Sequence, residues 1–236
     1  MVQIEQSAEP AGPGIPVAQT LAGIERMRAW GGRWPGGDGV GVFNEAYLAV
    51  AQTVRGQAGR GVPRDGETAD TLEERLMERY LWAVDTAEAG GRLPECWRPL
   101  LPRRRHPGVR PVQFALGGLH AHVAHDLALA VVDACRTRDC APAELEGEFE
   151  RVGDLLALLE ERIRDDLTPG PDLLRIADPL THLVSSWSLE RAREAAWSAA
   201  RVLWQLRGLP SLAEEFRQRT DAGAGLVVRL WLTPCR

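Results

Sequence analysis

Apolar residues recur every three to four positions along most of this chain, the period of helices that bury one face. Leu21, Ile24 and Met27 carry that spacing through Val17 to Trp30, and Gly31-Gly32-Arg33-Trp34-Pro35-Gly36-Gly37 breaks it. Asp38 can cap a second helix running through Val42, Phe43, Tyr47, Val50 and Val54. A turn-rich connection covers Gly56 to Gly66. Asp70-x-x-Glu73 then reads as a capping-box variant opening a helix through Leu76, Tyr80 and Val84, stopped at Gly90-Gly91. The prolines between Pro94 and Pro111 forbid a long helix and leave a single turn at Cys96-Trp97-Arg98-Pro99-Leu100.

Val112 to Cys135 is the most apolar stretch and reads as a central helix. Pro142 opens another, with Phe149, Val152, Leu155, Leu156, Leu159 and Ile163 on one face, and Pro169-Gly170-Pro171 ends it. Asp178-Pro179 begins a short element through Leu183. Ser188 caps a long helix carrying Ala192, Ala196, Leu203 and Leu206, closed by Gly208. The tail from Leu226 to Leu232 reads as a final helix or a short strand. No other stretch alternates as a strand would, and no internal repeat occurs. The expected fold is all-α: one antiparallel assembly of about six to eight helices over residues 17–236, behind a flexible, Pro- and Gly-rich arm at residues 1–16.

Composition narrows the function. A chain of 236 residues, 44% apolar and 26% charged, suits one large globular domain with room for an enclosed pocket. A net charge of −5 argues against nucleic-acid binding, which needs a concentrated basic face. The one basic cluster, Arg103-Arg104-Arg105-His106, reads as a solvated loop between prolines. All 28 basic residues are arginine, which removes Schiff-base chemistry and lysine-bearing phosphate loops. Met1 to Pro16 does not resemble a secretory signal, and no run approaches the length of a membrane span. Cys96, Cys135, Cys140 and Cys235 lack zinc-motif spacing and read as reduced thiols, so a cytoplasmic protein is expected.

The candidate chemistry lies in the central helix, at His120-Ala121-His122-Val123-Ala124-His125-Asp126. At about 100° per residue, His122, His125 and Asp126 share one side of the helix and His120 lies roughly opposite His122. Charged groups beside a core require partners. Imidazole with carboxylate suits a divalent metal (Zn, Mn or Fe), with His122, His125 and Asp126 as ligands and Glu78 as a further one. Asp85, Glu88 and Asp154 are other possible ligands from neighbouring helices. The same residues serve equally for metal-free acid–base catalysis, Asp126 orienting a histidine. A structural histidine–aspartate network is the third reading. Asn44 and Tyr47, at i, i+3 within apolar surroundings, either line a pocket or hydrogen-bond another helix, and Trp187 and Trp197 either pack in the core or wall a pocket; with Gln113 these are the candidate substrate lining.

Several blocks occur together: Phe43-Asn44-x-x-Tyr47-Leu48-Ala49-Val50, Glu78-Arg79-Tyr80-Leu81, Trp97-Arg98-Pro99-Leu100 and Pro111-Val112-Gln113-Phe114-Ala115-Leu116-Gly117-Gly118 leading into the histidine helix. Trp187-Ser188-Leu189-x-x-Ala192-Arg193-x-x-Ala196-Trp197 follows. With these the chain resembles an actinobacterial family catalogued as domain of unknown function 5995, over about residues 20–232. The resemblance implies a helical protein in which His122, His125 and Asp126 match the family block, whereas His120 and Ala124 stand where Asn is usual. It brings no activity with it.

The function expected is an enzyme of bacterial, specialised metabolism acting on a small organic substrate between helices, by hydrolysis or lyase-type chemistry at His122, His125 and Asp126. A metal-free cyclase or isomerase with an aromatic cavity, and a non-catalytic scaffolding module, are the alternatives. Neither nucleic acid nor membrane is expected as a partner, and the sequence leaves the oligomeric state open.

Overall fold

A helix forms where a cap, a periodic apolar face and a stop signal agree, and most of the chain follows that rule. The computed structural model describes residues 15–34, 36–58, 70–167 and 187–234. Among these residues eight helices and no strands occur: α1 Ile15–Gly31, α2 Gly39–Ala58, α3 Asp70–Glu88, α4 Leu100–Arg103, α5 Pro111–Arg138, α6 Glu146–Leu167, α7 Leu189–Gln205 and α8 Pro210–Trp231. Residues 1–14 of the expected arm, the short element at 178–183, the stop at 169–171 and residues 59–66 of the expected turn-rich connection lie outside the described residues, while Ile15 and Pro16 open α1 and Gly56 to Ala58 end α2.

The caps are those the side chains suggest. Asp38 Oδ1 accepts the Val40 N–H at 3.1 Å at the start of α2. Ser188 Oγ accepts the Arg191 N–H at 3.3 Å and opens α7. After α3, Gly90 takes φ +67°, its N–H bonds to Ala87 O at 3.1 Å, and the Gly91 N–H reaches Thr86 O at 2.8 Å. That is the left-handed helix stop that glycine makes cheap. The basic cluster is more than a solvated loop: Arg104 Nε donates to the buried Asp38 Oδ2 at 2.7 Å, joining the end of α4 to the start of α2.

Helix α5 is the axis of the fold. Every residue from Val112 to Val123 is buried, and α2, α3, α6, α7 and α8 all pack on it. By length and composition it is apolar enough to cross a membrane, yet 83% of its apolar window is enclosed by the other helices. Leu116, Leu119 and Leu127 are wholly buried, each stabilising the fold by roughly 1.5–3 kcal/mol relative to exposure. The apolar face predicted for α6 is buried in full, from Phe149 to Ile163. One continuous apolar cluster extends from Ile24 to Leu232.

The last helix is the main departure from expectation. α8 begins at Pro210, well before the apolar tail, because small residues let it lie close to its neighbours. An added Cβ at Gly225 would sit 2.4 Å from the Glu95 carbonyl oxygen. At Gly118 of α5 it would sit 2.6 Å from the Phe43 ring, whereas at Gly117 the nearest atom, on Val228, is an ordinary 3.6 Å away. Gly225→Ala is therefore expected to lower the melting temperature, costing about 1–3 kcal/mol through the collision with backbone. Gly117→Ala should be neutral or stabilising by up to about 1 kcal/mol. Thermal unfolding of the two variants checks the contrast, and equal melting temperatures would contradict it.

Candidate functional site

The centre of α5 is not regular. Between His122 and Asp126 the helix widens into a π turn, in which the Leu127 N–H reaches back five residues to His122 O. A wider turn advances each residue by less than the about 100° of an α-helix. Three residues then fall well short of a full circle, while four stay near it. His122 and Asp126 thus remain aligned, with Nδ1 and Oδ2 3.3 Å apart, but His122 and His125 part.

His122 turns into an aromatic nest. Its ring centre lies 5.0 Å from that of Tyr47 and about as near to Phe43, Tyr80 and Trp97, at 6.0, 6.2 and 6.4 Å. It has no exposed surface. With Nδ1–H given to Asp126, Nε2 is an acceptor without a partner, and the Tyr47 hydroxyl has none either. Burial, and then the charge of Glu73, push the Tyr47 phenol upward, so it stays protonated. The cavity beside this nest, lined by Trp34, Phe43, Tyr80 and Trp97, measures about 30 Å³, too little for an organic substrate.

Asp126 joins two partners. Its Oδ2 accepts the Trp97 indole N–H at 2.9 Å as well as facing His122. Trp97 belongs to the turn between α3 and α4, and a second carboxylate holds that same turn from α8. Asp221 Oδ2 accepts the Glu95 N–H and Oδ1 the Cys96 N–H, each at 2.9 Å. Both carboxylates are buried.

His125 points to this second carboxylate, with Nε2 3.9 Å from Asp221 Oδ1. Ligand atoms of Cys96, His125 and Asp221 lie within 4.8 Å of one another, forming the one such group among the described residues. Burial lowers the His125 pKa, and Asp126 and Asp221 raise it without offsetting the burial. Burial also pushes the Cys96 thiol well up, and Asp126 and Asp221 add to it.

Above His125 and Asp126 lies a groove of about 660 Å³ between α3, α5, α7 and α8. Apolar lining comes from Trp82, Leu129, Val132 and Leu203, and the charged rim includes Arg79, Arg136, Arg207 and Arg217 facing Glu78, Asp133 and Glu214. Arg79 pairs with Asp133, and Arg217 Nε donates to Glu214 at 2.7 Å. The Arg79 Nε is buried and has no hydrogen-bond partner.

The other expected residues serve elsewhere. Asn44 Nδ2 donates to Met27 O and its Oδ1 accepts the Tyr80 hydroxyl, each at 2.9 Å, so it ties α1, α2 and α3. Gln113 Oε1 accepts the Arg110 N–H at 2.8 Å while Nε2 donates to Trp231 O and Thr233 O, linking the start of α5 to the end of α8. Trp187 donates to His120 Nδ1 at 3.0 Å, and Trp197 packs on Phe149 with ring centres 4.6 Å apart. None of Asn44, Tyr47, Gln113, Trp187 or Trp197 lines the groove. Glu78 is exposed at the rim and bonded to Arg75 at 2.6 Å. Asp85 is half-exposed and paired with Arg26, and Glu88 lies 4.0 Å from Arg104. Asp154 is exposed, because five residues on from Phe149 the helix has turned to its opposite side. The set His122, His125, Asp126 and Glu78 is thus divided between a closed nest, the groove floor and the groove rim. Cys96 and Asp221, which sequence periodicity did not single out, take the places beside His125.

These features define an all-helical protein with a buried histidine–carboxylate–thiol centre beneath a charged groove. The chain belongs to the family of unknown function DUF5995, whose model matches residues 22–234. No curated protein and no solved structure matches it.

Asp126→Ala strands the Trp97 indole and His122 together and is expected to cost about 3–5 kcal/mol in denaturant unfolding. Asp126→Asn, which keeps one acceptor oxygen, should cost clearly less; equal losses would contradict the shared-acceptor role. A second expectation concerns acid. Burial lowers His120 to about 4, and the Trp187 indole needs its Nδ1 unprotonated. The unfolded chain takes up a proton below about 6.5 and the folded ring only near 4, so stability falls as pH drops through that window. The loss should reach on the order of 3 kcal/mol. His125, also lowered, acts in the same direction. Melting temperatures across this range should fall less steeply for His120→Gln, and an unchanged slope would refute the assignment.

Proposed function

We propose that the protein is an enzyme of bacterial metabolism, acting on a small organic molecule in the groove between α3, α5, α7 and α8. The observation that carries this reading is that His125 and Asp126 lie together in the lining of a groove of about 660 Å³, the size of small-ligand sites. The His125 imidazole, held uncharged at neutral pH by burial, can take a proton from a substrate or a water. The four arginines on the groove lining, Arg79, Arg136, Arg207 and Arg217, favour a substrate bearing a carboxylate or a similar anionic group. A proton acceptor below and guanidinium groups beside a developing charge suit hydrolysis or lyase-type elimination.

His122, enclosed on all sides, acts through Asp126 as a positioning residue. The closed aromatic nest gives no support to a cyclase cavity around it. An arginine-only basic set fits high-GC coding and hence an actinobacterial source in specialised metabolism, and free thiols at Cys96, Cys135 and Cys140 fit a cytoplasmic setting.

The test is a panel of small mono- and dicarboxylic acids with their esters and amides, read by thermal shift for binding and by NMR of the incubated mixtures for turnover. At least one acid is expected to raise the melting temperature of the wild type, and an ester or amide of it to be consumed. His125→Ala should abolish the shift and slow turnover by about 10²–10⁴-fold. No response across the panel, or an unchanged response in His125→Ala, overturns the reading.

A further inference from the structure

We infer that Cys96, His125 and Asp221 form a binding site for a divalent cation, with zinc the best match to the donor set. The three come from separate elements: Cys96 from the turn before α4, His125 from the π turn of α5 and Asp221 from α8. All three are buried, and their ligand atoms already lie within 4.8 Å of one another. Around zinc, at about 2.0–2.3 Å from each donor, such atoms stand roughly 3.3–3.8 Å apart. The His125–Asp221 separation of 3.9 Å is close to that spacing. Small side-chain rotations complete the convergence.

Charge points the same way. Asp126 and Asp221 are both buried, and neither has an arginine within ion-pair distance among the described residues. Their charge faces a histidine and a thiol, so the centre is an acidic pocket in a low-dielectric interior. Arg217 acts on Asp221 only at longer range, and a bound cation would supply the direct counter-charge that these buried carboxylates lack.

The carboxylate is also held as a ligand should be. Each Asp221 oxygen accepts one backbone N–H, at 2.9 Å, and keeps a further lone pair. Such outer contacts fix the orientation of a ligand and tune its basicity. The turn that bears Cys96 is pinned from its other side by the bond from Trp97 to Asp126.

Access is provided from two directions. His125 lines the groove of about 660 Å³, and Asp221 lines a neighbouring hollow of about 590 Å³. Trp82, Pro94, Glu214 and Arg217 are common to both linings, so His125 and Asp221 face the two sides of one wall, with Cys96 buried behind it. Three protein ligands leave a fourth zinc position to water or a substrate, the arrangement of catalytic sites. A thiolate beside an imidazole selects zinc over magnesium or calcium. On binding, the Cys96 S–H bond breaks, sulfur keeps the electron pair and donates it to the metal, and the proton passes to solvent. The catalytic meaning of the ion rests on the groove reading above; its binding does not.

The experiment is titration of chelator-treated full-length protein with Co²⁺ and with Zn²⁺. One equivalent of Co²⁺ is expected, with a thiolate-to-cobalt charge-transfer band that Zn²⁺ abolishes by displacing it. Zn²⁺ should raise the melting temperature. Cys96→Ser should remove the band and Asp221→Asn weaken binding by at least about tenfold, whereas Cys135→Ser should leave both unchanged. Circular dichroism confirms that each variant is folded, and Cys96→Ala serves if Cys96→Ser is not. Absence of stoichiometric uptake, or a band that survives loss of Cys96, overturns the site. If acids still bind in a His125-dependent way while no cobalt is taken up, the metal site falls and the groove reading stands. If cobalt binds through Cys96 but no acid responds, the reverse holds.

Discussion

Two buried carboxylates hold the turn at Glu95–Trp97, and the position of every group around His125 depends on them. In that turn the Trp97 and Arg98 N–H groups bond back to Pro94 O, which leaves the Glu95 and Cys96 N–H groups to find partners elsewhere. Asp221 of α8 takes two of its N–H groups and Asp126 of α5 takes its indole. The hydrogen bonds are charge-assisted and shielded from water, which makes them strong. Gly225 completes the arrangement by letting α8 come against the Glu95 carbonyl, closer than any side chain would permit. The groove and its neighbouring hollow are what remains on the solvent side of this junction.

The π turn decides which residues meet there. A regular α5 would direct His122 and His125 to the same side, where both could bind one ligand. The wider turn keeps His122 with Asp126 and sends His125 toward Cys96 and Asp221. One helix thereby serves two environments: a closed aromatic nest, in which an imidazole steadies a carboxylate, and a polar floor open to solvent. Such turns give up one regular backbone bond pattern and are common where a side chain must be aimed.

How far this could be read from the sequence follows from the range of each interaction. Helices with local signals were legible: the Asp38 and Ser188 caps, the Gly90-Gly91 stop, the apolar face of α6 and the long apolar run of α5 all rest on neighbours in sequence. The histidine–aspartate segment was legible too, as charged chemistry in an apolar helix. The π turn was not, since nothing in the periodicity of His122 to Asp126 marks the extra residue. Asn44 and Gln113 read as candidate pocket lining, whereas their roles as ties between helices depend on carbonyls far away, on Met27, Trp231 and Thr233. Asp221 escaped notice because Asp221-Ala222-Gly223-Ala224-Gly225 has small residues where an amphipathic helix would show large ones. Small residues allow the close approach that buries it, and Cys96 finds it across 125 positions of chain.

The balance of charge sets this junction apart from an ordinary packed core. A turn can be held by neutral partners, and replacing buried ionic groups with well-packed apolar ones is often neutral or stabilising. Here two carboxylates remain in the interior with only histidines within ion-pair distance among the described residues, although arginines are plentiful on the groove rim a short way off. Arg79 and Arg217 instead engage Asp133 and Glu214. Arg217, four residues before Asp221 on α8, still acts on that carboxylate at longer range, while His125 and Cys96 are the groups that face it. Burial keeps the imidazole of this centre uncharged, which leaves a ring nitrogen free to accept a proton or to serve as a ligand. His122 and Trp97 fix where Asp126 stands, and His125, Cys96 and Asp221 are the groups that meet beside it.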